Sequence, residues 1–124
     1  MAFFQRVPLR EAAVAFNIFN AETVLGVSAA VQASGRPVYL QTSASTVRAY
    51  GAAPLAGMID SLIPREIRRS ILLHLDHCDT DAMFIECLEA GWDSVMIDAS
   101  ARPLQENIRR TREVVALAAS FGAI

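Results

Sequence analysis

Ser70-Ile71-Leu72-Leu73-His74-Leu75 runs directly into Asp76-His77-Cys78-Asp79, and the reading of this junction decides the fold. The first six residues are apolar nearly throughout. They predict a strand buried on both faces, the pattern required of a parallel sheet with helices packed over it. Asp76 and His77 then fall where the strand ends and the chain turns toward a helix. Parallel α/β architectures place their sites at such C-terminal strand ends. An Asp beside a His there can supply a proton-transfer group and a metal ligand from adjacent positions. Equally, Asp76 and Asp79 can merely cap the following helix, with His77 solvated.

Outward from this junction the chain alternates between short apolar runs and longer amphipathic ones. Residues 13–18, Ala13-Val14-Ala15-Phe16-Asn17-Ile18, predict a short buried strand. Asn20 stands at an N-cap position with Glu22 in the first turn, where a carboxylate suits the helix dipole. Val24, Val27 and Val31 share one helical face, and Gly35 and Pro37 stop that helix. Residues 37–42 predict a second strand, followed by a Ser/Thr-rich turn at Ser43, Ser45 and Thr46. Leu55, Met58, Ile59, Leu62 and Ile63 predict an amphipathic helix that Pro64 shortens. Downstream, a helix from about Thr80 carries Phe84 and Leu88 on one face, with Gly91 as its C-cap. Ser94-Val95-Met96-Ile97 predicts a fourth strand. Pro103 fits the first turn of a fourth helix, with Leu104, Ile108, Thr111, Val115 and Ala118 on one face and Gly122 closing it. Such β-α alternation implies right-handed crossovers and a parallel sheet. Pattern alone favours a small open doubly wound sheet, because four strands are too few for a closed (β/α)8 barrel of ~250 residues.

The bulk properties narrow the function classes. A chain of 124 residues fits one domain over 1–124. Its net charge of -2 and pI of about 5.6 leave no electrostatic footprint for nucleic acid. No apolar run approaches the ~20 residues that span a bilayer, and residues 1–6 with Pro8 do not make a secretory signal. Two cysteines, Cys78 and Cys87, are no disulfide framework, which points to a reducing cytoplasm. The hydrophobic share of 53% and mean hydropathy of +0.33 are high for a small domain. Either an unusual share of the chain is buried on both faces, or some apolar surface belongs against something absent.

His74-Leu75-Asp76-His77 is followed by Glu86-Cys87-Leu88-Glu89-Ala90-Gly91-Trp92-Asp93-Ser94-Val95-Met96-Ile97-Asp98 and then by Pro103-Leu104-Gln105-Glu106-Asn107-Ile108. Ala15-Phe16-Asn17 and Asn20-Ala21-Glu22-Thr23 stand upstream. From about residue 5 to the end, this string resembles the class II, zinc-dependent ketose-bisphosphate aldolases, which include fructose- and tagatose-bisphosphate aldolases. The resemblance implies a (β/α)8 TIM barrel, of which this chain holds about four βα units with parallel strands, the N-terminal half. It implies an aldehyde-lyase of carbohydrate metabolism that cleaves sugar bisphosphates reversibly to a ketose phosphate and an aldehyde, with Zn2+ as cofactor. The implied partners are a sugar bisphosphate or triose phosphate substrate and further copies in a homo-oligomer, with no nucleic acid and no membrane. In that family the Asp of the "LDH" element is the general acid/base and the next His is a zinc ligand. By position, Asp76 is implied as the catalytic proton donor and His77 as the metal ligand. The residue types suit the reaction, which must move a proton at one oxygen and stabilise charge at the neighbouring carbon by Lewis-acid chemistry.

Catalytic zinc takes three protein ligands, and the family draws two further histidines and its phosphate-binding loops from the second half of the barrel. The remaining ligands are therefore expected outside this chain, and the chain alone is expected to be inactive. His74, two residues before Asp76, shares its face and reads as a satisfied polar residue inside or beside the barrel. Cys78 stands where relatives commonly have a small residue such as Gly and reads as a size-for-size replacement. Cys87 reads as a packed small hydrophobe. Asp98 is open between an auxiliary cation site and a capping carboxylate, and Ala101 replaces a residue that is often polar in relatives. Arg109, Arg110 and Arg112 read as a solvated helix face. Ser43 and Ser45 either approach a phosphate or make a turn. A half-barrel exposes the inner face of its strands and two open edges, so the apolar surplus is expected to face the missing half. The alternatives are a non-catalytic half-barrel module, a homodimer that rebuilds a barrel, or a small open-sheet binding protein.

Overall fold

The apolar runs become strands that pair in chain order. In the computed structural model, which describes residues 12–124, β1 (Val14–Asn17), β2 (Val38–Ser43), β3 (Ile71–Cys78) and β4 (Ser94–Ile97) form one parallel sheet ordered β1-β2-β3-β4. Residues 1–6 and Pro8, read above for a secretory signal, lie outside the described residues. Helices α1 (Ala21–Ser34), α2 (Ala44–Tyr50), α3 (Ala52–Leu62), α4 (Asp81–Glu89) and α5 (Leu104–Ser120) fill the connections. A doubly wound sheet reverses its strand order at a switch point and carries helices on both faces. Here the order never reverses. With right-handed crossovers, an unreversed order places the helices on one side of the sheet, which is the winding of a (β/α)8 barrel. The winding is that of a half-barrel, and the open sheet favoured by pattern alone is excluded.

The two faces of the sheet differ chemically. On β2, Val38, Leu40 and Thr42 are buried, while Tyr39, Gln41 and Ser43 alternate onto the half-buried opposite face. Register sets Ile71, Leu73 and Leu75 of β3 beside Val38, Leu40 and Thr42. With Val24 and Val31 of α1, Val47 of α2, Leu55 and Ile59 of α3 and Phe84 of α4, the aliphatic members form the core between sheet and helices. Each such fully buried aliphatic or aromatic side chain contributes roughly 1.5–3 kcal/mol relative to exposure. The inner face carries apolar and polar groups together: Ala15, Tyr39, Val115, Ala119 and Ile124 line its concavity with Gln41, His74 and Ser94. Asn17, Gln41, His74 and Ser94 lie side by side across it. Exposed apolar groups sit on the open edge strand β1, at Val14 and Phe16, on β4, at Met96, and on the helices, at Leu25 and Val115, so part of the apolar surplus lies where a half-barrel is open.

Local chemistry explains the element ends. Asn20 caps α1 by accepting from the Thr23 amide at 3.0 Å, and the Thr23 hydroxyl accepts from the Asn20 amide at 3.3 Å. The stretch expected to be a Ser/Thr-rich turn is instead the start of α2. The Ser43 hydroxyl accepts from the Thr46 amide at 3.3 Å and so caps a helix, the role these residues share with turns. Gly51, at φ 82°, separates α2 from α3, and a Cβ there would meet Pro54 Cδ at 3.2 Å. Ala52 at that junction is held from both sides: its amide donates to Glu86 of α4 at 2.9 Å, and its carbonyl accepts from the Trp92 indole at 3.3 Å. Trp92 is itself buried. Pro103 occupies the N-cap of α5 rather than its first turn. Of the expected face of α5, Ala118 is buried and Ile108 and Thr111 are half-buried, but Leu104 and Val115 are 71% and 62% exposed and Val114 is buried in place of Val115. At the chain's end, the Ile124 amide donates to the Asp93 carbonyl at 3.1 Å and its carbonyl accepts from Val95 at 2.8 Å, pairing beside β4. No helix of the described residues is long and apolar enough to cross a membrane.

Two substitutions test this core. Phe84 is fully buried, so Phe84→Ala is expected to destabilise by about 3–5 kcal/mol, read as a lowered urea midpoint. The buried Thr42 hydroxyl finds no hydrogen-bond partner among the described residues. Thr42→Val should therefore be neutral or stabilising by about 1 kcal/mol, and a loss of stability would show that the hydroxyl is satisfied in solution.

Candidate active site

The site is built by an irregularity in β3. His74 pairs with Ser94 and Leu75 with Val95, but Cys78 then pairs with Ile97, so β3 advances three residues while β4 advances two. The extra residue makes a β-bulge, a device that re-aims side chains next to functional sites. His77 carries the bend at φ 48°, a conformation otherwise found only at glycines among the described residues. A left-handed backbone costs a residue with a Cβ roughly 1–2 kcal/mol. The bond from the Asp98 amide to the Cys78 carbonyl, 2.8 Å, closes the bulge. In an unbroken strand His77 would turn into the helix layer with Leu75. The bulge leaves Asp76 on the inner face beside Ser43 and turns His77 outward, with 59% of its side chain exposed.

Three titratable groups meet there. His77 Nδ1 lies 2.9 Å from Asp98 Oδ2, and His77 Nε2 lies 3.8 Å from Asp76 Oδ1. Asp98 Oδ1 accepts from the Ser100 hydroxyl at 2.6 Å and from the Ser100 amide at 3.1 Å. The hydrogen bond to Asp98 and the nearby charge of Asp76 hold the His77 imidazole above its ordinary range. The Ser100 hydroxyl, with the His77 bond and the Ser100 amide, lowers the Asp98 carboxyl to about 2. Asp98 thus both caps the Ser100 turn and orients His77. Asp76 is anchored on its other oxygen, where Gln41 Nε2 donates to Oδ2 at 3.3 Å.

The remaining candidate residues separate cleanly. His74 points along the inner face with Nδ1 2.8 Å from Ser94 Oγ and its ring edge-on to Tyr39, and burial lowers its pKa. Cys78 is buried, its Sγ accepting from the Thr80 amide at 3.4 Å, and burial pushes its thiol up. Cys87 is buried in the core, which pushes its thiol up to about 12. Asp79 accepts from the Thr80 hydroxyl. Arg109 and Arg110 pair with Glu113, and Arg110 also with Asp81. The Ser43 hydroxyl lies 2.7 Å from that of Ser45 at the start of α2. Among the described residues no three His, Cys, Asp or Glu side chains converge to hold a metal ion. Sequence reasoning gave no role to Gln41 or to the Asp98–His77 bond. The available signal was a polar residue in every strand, Asn17, Gln41, His74 and Ser94, beside Thr42 and Ser43 in β2 and Asp76 and His77 in β3.

The backbone at His77 yields a direct test. Removing the imidazole by His77→Gly also relieves the left-handed bend, whereas His77→Ala keeps it. The glycine variant is expected to be the more stable of the two by about 1 kcal/mol, read from denaturant midpoints. The reverse order would mean that β3 runs without the bulge.

Comparison with known proteins identifies the family. The family model for class-II fructose-bisphosphate aldolase matches residues 9–124. A fructose-bisphosphate aldolase from Giardia intestinalis is 37% identical over 108 residues, which cover 87% of this chain and 33% of that protein. A sulfofructosephosphate aldolase from Alkalicoccus urumqiensis is 30% identical over 108 residues, covering 87% of this chain and 37% of that protein. Among solved structures, the YdjI aldolase from Escherichia coli K12 is similar with a TM-score of 0.77 at 28% identity, over 90% of this chain and 42% of that one. The chain spans about a third of the length of the curated relatives it matches. With a match over nearly its whole length and the strand winding of an aldolase barrel, the chain belongs to the class-II fructose-bisphosphate aldolase family.

Proposed function

We propose that this chain supplies the proton-transfer side of an aldolase site that cleaves a sugar bisphosphate to a ketose phosphate and an aldehyde. The observation that carries the reading is the junction at the end of β3. There Asp76 and His77 face one mouth, and Asp98 holds His77 by Nδ1 at 2.9 Å. In the cleavage direction the Asp76 carboxylate takes the proton of the hydroxyl whose carbon becomes the aldehyde. In the condensation direction it returns that proton, the ordinary work of a positioned general acid/base.

His77 fits one position of a zinc site. With Nδ1 committed to Asp98, Nε2 is left as the ligating atom, the carboxylate–histidine arrangement common around bound metals. Zinc, when bound, supplies Lewis-acid polarisation of the ketose carbonyl. The other two protein ligands of a catalytic set are assigned to the part of the relatives' length that this chain does not cover. The substrate class is a sugar bisphosphate or its triose phosphate fragment, with no nucleic acid or membrane partner. We assign the protein to the cytoplasm, in keeping with two free, buried cysteines. Association with further copies is supported by the apolar Val14, Phe16 and Val115 left exposed.

Substitutions separate the two roles in a catalytically competent barrel that contains this segment. Asp76→Ala should slow cleavage by about 10²–10⁴-fold with zinc still stoichiometric. His77→Ala should lose the zinc, and Asp98→Ala should weaken zinc affinity by about 10–100-fold. Turnover is read in a coupled assay and metal by elemental analysis. Undiminished turnover in Asp76→Ala, or full zinc in His77→Ala, removes the corresponding role.

A further inference from the structure

Asn17, Gln41, His74 and Ser94 stand at one level on the inner face, one from each strand, as direct register partners. Barrel interiors are ordinarily filled by layers of branched apolar side chains. A polar layer is tolerated only when its groups are hydrogen-bonded. Here the row bonds in two halves. His74 pairs with Ser94 at 2.8 Å, and Gln41 Nε2 donates to Asn17 Oδ1 at 2.9 Å and to Asp76 Oδ2 at 3.3 Å. Gln41 thereby links the row to Asp76, which stands one step further along the same face of β3.

Hydrogen bonds on two sides orient the Gln41 amide. The amide nitrogen, a donor only, faces Asp76 and donates to Oδ2 at 3.3 Å. Both its hydrogens are then committed, one to Asp76 and one to Asn17. The Gln41 bond engages Oδ2, while Oδ1 faces the site, 3.8 Å from His77 Nε2. We propose that Gln41, braced by Asn17, is a positioning residue that fixes the rotation of the Asp76 carboxylate, holding one oxygen against the sheet and presenting the other to the reacting hydroxyl. This rests on the proton-transfer role given to Asp76 above. A carboxylate free to rotate would present its oxygen over a range of positions, and misplacement by about 1 Å can cost about 10²-fold in rate.

The test removes the donor without removing the bulk. Gln41→Met keeps most of the side-chain volume. Gln41→Asn keeps the amide but draws it back by one methylene. In a crystal structure of the Gln41→Met chain, the Asp76 carboxylate should leave its present orientation. In the competent barrel both variants should lower kcat by about 10–100-fold while KM and zinc content stay near the parent values. In an Asp76→Asn background, Gln41→Met should add less than about threefold, since two residues acting through one group are not additive. A merely structural role would instead leave kcat untouched or depress both backgrounds alike. An Asp76 carboxylate unmoved in the Gln41→Met structure, or a full additional loss in the double variant, overturns the proposal. Parent-like turnover in the Asp76→Asn single variant sinks the underlying proton-transfer reading instead. The Gln41→Met structure then still reports whether the carboxylate was held.

Discussion

The left-handed backbone of His77 is the constraint on which the site depends. A regular strand alternates its side chains, so neighbouring residues such as Asp76 and His77 cannot both face one mouth. One extra residue in β3 breaks the alternation, and the pairing of Cys78 with Ile97 resumes it. The cost of placing a Cβ-bearing residue at φ 48° is borne by bonds around it. The Asp98 amide closes the backbone and the Asp98 carboxylate holds the imidazole. Strain of this kind persists where the surroundings over-determine it, and it concentrates at functional sites.

The bulge can be so placed only because the sheet beneath it is rigid on one side. Leu40, Leu73 and Leu75 are fully buried against a helix layer that includes Ile59 and Phe84. The residues of the "AGWDS" string that mark the family serve this support. Trp92 bonds to Ala52, Asp93 accepts from the Leu73 amide at 2.9 Å, and Ser94 bonds to His74. They are structural residues whose spacing sets the register of β4 against β3, and so the position of Asp98 opposite His77.

Much of this was legible in the residues. The apolar strands, the Asn20 cap, the stop at Gly35 and the helix after Thr80 each follow from local chemistry and form as expected, except that β3 runs on past Leu75 through Asp76 and His77 to Cys78. The Ser43 region was misread because a hydroxyl that caps a helix and one that makes a turn are the same residue type. The α5 face was misread because Val114 and Val115 are equally apolar, and only the packed neighbours choose between them. Composition counts an apolar surplus without assigning it to sides: part of it lies exposed at Val14, Phe16 and Met96, while a polar row crosses the inner face.

By itself the sequence determined the β-α alternation and the family likeness, because turn, cap and period signals act within a few residues of one another. It also placed Asp76 and His77 together at a strand end. The likeness implied a barrel where pattern alone left the sheet open, and the order of the strands, which no local signal carries, bears the barrel winding out. The tertiary structure alone decided that His77 turns toward Asp98 and that Gln41 reaches Asp76, 35 residues along the chain. The first joins β3 to the residue just after β4, and the second joins β2 to β3. They exist only because the parallel register and its single bulge bring those strands to one level.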